Sequence, residues 1–517
     1  MIQEGLPYGR GNFVKNIRKI LCLALVLSFI AAPILLVSCQ TDANKSDRDG
    51  APDDSPANQS FEDGDEAAPN ADDELKPDLP EGANYGGYEL KILTRGDEGH
   101  AYPAHTRDIM AAEETGEPMN DAVYKRNGIV EDLLGVKITM IPMDESDESR
   151  PNNAVKTAFL AGDDLYDLLM THMILGGPTA QNGYLKNWGS IPYVDLSQPW
   201  WCKSATENLS VGNKIFLALS DLSVSSSNYA FTCLFNKQMQ QEWAAENLYD
   251  VVRAGKWTFD KMYSVTKDIK KDLNGDGQMT MDDLYGLLVA ADVGTLNFFY
   301  AGGDTVTKKD ADNVPYLDIL TERSIEAFGK ALGIVSAEST FFLTQWNQDN
   351  FMNMFSGSHG FIINTNVAMI TEFRDMEIDF GILPYPKFDE KQDKYLEYVD
   401  GHAPLMGVPA MVQNDEKVGA IIEALSYYSY KYVVPAYYDI NLKTKFARDD
   451  ESAEMLDIIM EGRVFDFGYV YDNWVIAFQF QELLRAKKDT FVSTIEKNMS
   501  KAQKNLDAIL AAYDSIE

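Results

Sequence analysis

Apolar and polar positions fall into three regimes along this chain. Residues 20–37 form an apolar run, residues 40–84 hold almost nothing to bury, and from Tyr88 onward short apolar runs alternate with amphipathic ones. The third regime predicts the fold. Tyr88-Glu89-Leu90-Lys91-Ile92-Leu93-Thr94 reads as a strand ending in a turn at Arg95-Gly96-Asp97. A helix from Asn120 through Val123, Ile129, Val130 and Leu134 closes at Gly135, and Val136 to Ile141 is the second strand. Ala154 to Leu160, with Gly162 past its end, is a second helix, and Tyr166 to Thr171 a third strand. Strand, helix, strand, helix, strand predicts a parallel, doubly wound sheet, whose ligands sit at the carboxyl ends of the strands.

Further along, Lys214 to Leu219 and Tyr229 to Phe235 read as a pair of strands flanking a Ser-rich stretch, Ser223 to Asn228. Trp257-Thr258-Phe259-Asp260 opens a helix; Tyr285 to Ala290, Gly360 to Thr365, Phe380 to Pro386 and Ala403 to Ala410 read as strands. The C-terminus is helical, and residues 492–517 form an amphipathic helix. No internal repeat is present.

The first regime sets the location. Arg10, Lys15, Arg18 and Lys19 precede the apolar run, which ends in Leu36-Val37-Ser38-Cys39 and a polar continuation. Charge, then grease, then a small residue before cysteine predicts a bacterial lipoprotein signal over residues 1–38, cleaved before a lipid-bearing Cys39. An uncleaved membrane anchor is the alternative; either places the body of the chain outside the cytoplasm, on the outer face of the membrane. The acidic stretch 39–85, rich in Asp, Glu, Pro, Ala and Ser, predicts a disordered tether.

Charge narrows the partners. The 517 residues carry a formal net charge of -35, a surface that repels phosphates and makes nucleic acid and anionic lipid headgroups poor partners. After loss of Cys22 and lipidation of Cys39, Cys202 and Cys233 remain, bonded to each other or free.

The sharpest local motif runs from Asp272 to Asp283. Asp272, Asn274 and Asp276 hold positions 1, 3 and 5 of a calcium loop, Gly277 makes the turn at 6, Gln278 offers its carbonyl and Asp283 stands at 12. Aspartate there has a shorter arm than the usual glutamate. Structural calcium, pinning an insertion, is the expectation. Catalysis finds little support: there is no His-Glu-x-x-His, no Gly-x-Ser-x-Gly and no phosphate-cradling loop; His100 and His105 flank Pro103, and His172, His359 and His402 lie in separate segments.

The order of elements resembles the extracellular solute-binding proteins of ABC importers, in their sugar-binding branch. The resemblance rests on the strand and loop 88–97, on Ala161-Gly162-Asp163-Asp164 before Tyr166-Asp167-Leu168-Leu169, and on Phe235-Asn236-Lys237. It extends through Trp257-Thr258-Phe259-Asp260 to Gly381-Ile382-Leu383-Pro384-Tyr385-Pro386. It implies an α/β, two-lobed, periplasmic-binding-protein-like fold with a hinge between two doubly wound lobes. The first lobe would span 86–225, the second 226–395 with the loop insertion, the return 396–430, with C-terminal helices 431–517 packing on both. It also implies a monomer that captures a mono- or oligosaccharide and hands it to a permease. Ligand residues implied by position are Thr94, Arg95, Asp97, Thr171 and His172 on the first lobe and Asn364 and Asn366 on the second. Trp200, Trp201, Tyr229, Trp346 and Tyr385 are the candidate stacking aromatics, with Trp257 and Trp474 left to the core. A calcium-dependent, surface-anchored polysaccharide enzyme and an adhesion or sensing protein are the rival readings.

Overall fold

The computed structural model describes residues 75–516 except 97–104, 144–147, 244–245, 292, 345–347, 374–375, 439–447 and 473–474. The signal, Cys39, the tether to residue 74, and Asp97, Trp346 and Trp474 lie outside the described residues. Nine strands organise the rest: β1 (Tyr88–Arg95), β2 (Val136–Met143), β3 (Leu168–His172), β4 (Phe231–Asn236), β5 (Leu284–Ala290), β6 (Thr340–Leu343), β7 (Gly360–Asn366), β8 (Phe380–Leu383) and β9 (Pro404–Gly407).

The first sheet has the order β9-β3-β1-β2. β1 runs parallel to β2 from Tyr88↔Val136 to Arg95↔Met143 and parallel to β3 at Ile92↔Leu168. β9 closes it antiparallel, with Pro404 opposite His172. The helix predicted from Asn120 starts at Pro118, where the Glu117 carboxylate accepts the Asn120 N–H at 2.7 Å, and it stops at Gly135 in the left-handed region (φ 63°). A side chain at residue 135 would collide with the Asn84 amide, whose oxygen lies 2.3 Å from the Cβ position. The body begins earlier than expected: Leu79, Ala83 and Tyr85 pack on the first lobe's core, and the Tyr85 N–H donates to Leu134 O at 2.7 Å. Residues 75–85 therefore belong to the folded body and not to the tether.

The second sheet runs β8-β4-β7-β5, continued by a two-residue strand at Lys270–Lys271, with β6 also paired to β5. β7 is parallel to β5 and β5 to β6, whereas β4 is antiparallel to both β7 and β8. Both sheets are thus mixed. β4 and β9, antiparallel to their neighbours, enter a sheet directly from the other lobe, and the Lys270–Lys271 strand is antiparallel to β5. Lys214 to Leu219 is not a strand: apart from isolated bridges such as Ala218↔Met406 it runs irregularly along β9. The Ser-rich stretch lies in a 3₁₀ segment, Asp221–Tyr229, whose Ser225 N–H and hydroxyl both donate to the buried Asp108 carboxylate.

Two crossing segments lie side by side between the sheets. Ala230 bridges Val399, and the Asp400 N–H donates to Tyr229 O at 2.9 Å. The helix Phe491–Ser515 spans both lobes. Near its start Phe491 stacks on Phe328 with centroids 4.9 Å apart; near its end Tyr513 meets Phe216 at 4.8 Å. One apolar cluster accordingly runs from Leu93 and Leu169 of the first sheet through Phe231 and Phe235 of the second to Ile495 and Leu506 of this helix.

Candidate functional site

β1 and β3 end side by side, and the return crossing delivers residues 400–403 to the same edge. Arg95 is the last residue of β1, His172 the last of β3, and His402 stands two residues before β9. Arg95 is nearly buried, and its guanidinium organises the group. Nη1 donates to Glu148 Oε1 at 3.1 Å, and Nη2 lies 2.8 Å from His105 Nε2 and 3.1 Å from the His402 carbonyl. His105 Nε2 also lies 3.0 Å from the His402 carbonyl, so guanidinium, imidazole and carbonyl meet at one point.

Glu148 reaches both other histidines. Oε1 is 3.2 Å from His402 Nε2, and Oε2 is 3.6 Å from His172 Nε2. His402 also contacts Asp400, whose Oδ1 takes the His402 N–H at 2.8 Å and meets ring Nδ1. Burial opposes charge on the His402 ring, but the Asp400 and Glu148 carboxylates outweigh it and its pKa is pushed up to about 10. Tyr229 lies almost parallel to that ring, 16° between planes and 6.2 Å between centroids.

Close packing at the crossing depends on Gly401. A Cβ there would stand 2.7 Å from His172 Cε1 and 2.9 Å from the Tyr469 hydroxyl. Gly401→Ala is expected to force His172 off its present position and to cost about 1–3 kcal/mol, as overpacking does. Chemical denaturation checks the cost; a variant as stable as wild type would contradict this packing.

A scan of protein-family models finds no match, and a search of curated proteins finds none either. Solved structures do match. A cyclo/maltodextrin-binding protein complexed with maltotetraose superposes over 84% of this chain and 98% of its own, with a TM-score of 0.52 at 16% identity. The maltose/maltodextrin-binding domain of Bdellovibrio bacteriovorus, bound to maltotriose, covers 81% and 100% with a TM-score of 0.51 at 13% identity. An ABC substrate-binding protein of Listeria monocytogenes in complex with cycloalternan covers 81% and 99%, with a TM-score of 0.51 at 12% identity. The chain has the two-lobed fold of ABC substrate-binding proteins.

Within that substrate-binding-protein fold the residues singled out from sequence divide sharply. Arg95 and His172 come together with His105, Glu148, Asp400 and His402, which sequence reasoning missed; Tyr229 packs behind them beside His402, 2% exposed, with no face free for a ligand to stack on. Thr94 and Thr171 are sealed beneath them: Thr171 Oγ1 is bound by the Asn152 amide at 2.7 Å, and Thr94 shows no exposed surface. Asn366 ends β7 beside the outward crossing, where its Oδ1 accepts the Met369 N–H at 3.3 Å.

Trp200, Trp201, Asn364 and Tyr385 are likewise corrected as ligand residues. Trp200 and Trp201 are core residues of the first lobe, 0% and 3% exposed, with both indole N–H groups donated to the buried Glu423 carboxylate at 2.8 and 2.9 Å. They present no face to a ligand. Asn364 and Tyr385 are bound to each other inside the second lobe, amide to hydroxyl at 2.7 Å, with the Cys233 thiol on the Asn364 oxygen. Cys202 and Cys233 are free thiols. Trp257 is core, as expected, its indole N–H on Pro384 O.

The predicted calcium loop folds back on itself before β5. The Asp272 carboxylate accepts the N–H groups of Gly275 at 2.6 Å and Gly277 at 2.7 Å, and both glycines have positive φ. Asn274 and Asp276 cap the N–H groups of Asp276 and Gln278. Asp283 accepts the Thr280 and Leu273 N–H groups, which hold its carboxyl below the usual range.

Proposed function

We propose that this chain is a lipid-anchored, extracellular solute-binding protein that captures a carbohydrate between its lobes and delivers it, uncleaved, to an ABC permease. The observation that carries the reading is the polar cluster around Arg95. It stands at the carboxyl ends of β1 and β3, against the two crossing segments, where a substrate-binding-protein fold takes its ligand. Guanidinium, imidazole and carboxylate groups supply the mixture of donors and acceptors that sugar hydroxyls require. Related structures hold maltotetraose and maltotriose, and an oligosaccharide is the ligand class we assign here. Lobes joined by crossing segments suit capture, because closure buries the ligand and changes the surface that a permease reads.

A thermal-shift screen against neutral mono- and oligosaccharides tests the reading. A ligand at about a hundredfold its dissociation constant adds about 2.7 kcal/mol of stability. A saccharide that raises the melt and is recovered intact supports capture, whereas cleavage products would favour the enzyme reading. Anchoring at Cys39 is tested by radiolabelled fatty acid, which the wild type should incorporate and a Cys39→Ala variant should not.

In the same proposal calcium holds the loop from Asp272 to Asp283, with Asp272, Asn274, Asp276 and Asp283 as side-chain ligands and Gln278 through its carbonyl. The donors are all hard oxygens, which fits the ion. Asp272→Ala is expected to lower the melting temperature in calcium and to leave it unchanged in chelator. Equal melting of variant and wild type in calcium would remove the metal from the loop.

A further inference from the structure

Glu148, His172 and His402 share a geometry that sugar capture does not require. One oxygen of Glu148 and one nitrogen of each histidine all lie within 4.8 Å of one another. The two histidines approach different oxygens of the carboxylate, His402 Nε2 at 3.2 Å from Oε1 and His172 Nε2 at 3.6 Å from Oε2. Ligand atoms bound at about 2.0–2.1 Å around a tetrahedral zinc ion stand roughly 3.4 Å apart, so three donors already within 4.8 Å of one another need only a small inward shift to hold one.

The surroundings follow the logic of a metal centre. A metal-binding histidine commonly directs its second nitrogen to a carboxylate, which fixes the ring and raises its basicity. His402 does this: Nδ1 faces the buried Asp400 and Nε2 faces Glu148. Glu148 is steadied by Arg95 Nη1 on Oε1, and Gly401 lets His172 close on the crossing. His172 is nearly buried while Glu148 and His402 are about a third exposed, so the group is rooted on one side and open on the other.

We propose that Glu148, His172 and His402 bind a divalent transition-metal ion of the zinc class, with its remaining coordination position open to solvent. Two imidazoles and one carboxylate select such an ion over calcium, whose oxygen-only loop lies in the other lobe. The open position faces the region where we place the saccharide, so a ligand oxygen is the natural additional donor.

The test is zinc itself, titrated into the metal-stripped, untagged full chain against a chromogenic chelator, with excess calcium present to fill the loop. The expected result is one zinc per chain. His402→Asn and Glu148→Gln should each weaken it by more than about a hundredfold, and Asp400→Asn, which removes only the orienting carboxylate, by about tenfold to a hundredfold. Zinc uptake no stronger than by a chain lacking both histidines, or an affinity that neither His402→Asn nor Glu148→Gln changes, overturns the site. If those variants melt early in chelator, cobalt in the wild type decides: strong visible absorption of a four-coordinate ion sustains the proposal and the weak absorption of an octahedral one overturns it. Saccharide binding measured in chelator is scored separately, so losing the metal leaves the capture reading standing.

Discussion

Trp200→Ala is expected to destabilise the first lobe by about 3–5 kcal/mol, the loss typical of truncating a fully buried tryptophan. The indole is packed edge-on against Tyr427 with centroids 5.2 Å apart, and its N–H shares the Glu423 carboxylate with Trp201. Truncation opens a cavity and removes one of the two indole donors to a buried acid. Urea denaturation followed by fluorescence measures the loss; a variant as stable as wild type that instead fails to bind saccharide would restore the tryptophan to the ligand site. Glu423 adds a pH signature. Burial pushes its carboxyl up to about 7, against the pull of the Trp201 and Trp200 N–H groups. A group with a raised folded-state pKa gives its stabilisation below the unfolded value and loses it as pH rises through the folded value. Between about pH 4.5 and 7 this group should therefore cost the fold about 3 kcal/mol, at about 1.4 kcal/mol per unit. Glu423→Gln should flatten that slope. An unchanged slope between pH 4.5 and 7 would contradict the assignment.

Arg95→Ala is expected to weaken saccharide binding by about 2–5 kcal/mol, a factor of about thirty to several thousand, with a smaller effect on folding. Removing one partner of a buried, charge-assisted network leaves the others mispositioned, and the penalty is of that order. Arg95 holds Glu148, His105 and the His402 carbonyl together, so its loss frees the whole strand-end cluster at once. Arg95→Lys should recover only part of the affinity, because an ammonium cannot span the separate acceptors that the planar fork reaches. Calorimetric titration of the three proteins checks this; equal affinity in all three would place the ligand elsewhere.

Much of the architecture was legible because local pattern and tertiary role agree. β1, β2, β3, β5, β7 and β8 are apolar runs bounded by turn residues, and Gly135 is where the chain must turn left-handed. The stretch from Lys214 to Leu219 misled because its apolar residues serve the core without a full ladder. The site was half legible. Arg95 and His172 follow from a rule about strand ends, whereas Asp400 and His402 depend on a crossing whose return lies about 300 residues from β1 in sequence, as in the Arg95 to His402 contact, and Glu148 sits in the loop after β2 with no pattern to mark it. The short sequence Asp400-Gly401-His402 was the available signal: an acid two residues from a histidine, separated by a residue without a side chain. Trp200 and Trp201 looked like platforms because composition does not reveal that Glu423, more than 220 residues on, accepts both indole N–H groups.

Hydrogen–deuterium exchange of the wild-type chain with and without the saccharide found by screening locates the ligand on the fold. A saccharide held at the Arg95 cluster should slow exchange at residues 92–96, 170–173, 228–231 and 399–404, the two strand ends and the paired crossings. Protection confined to the calcium loop or to the outer helices, with those four stretches unchanged, would contradict that placement.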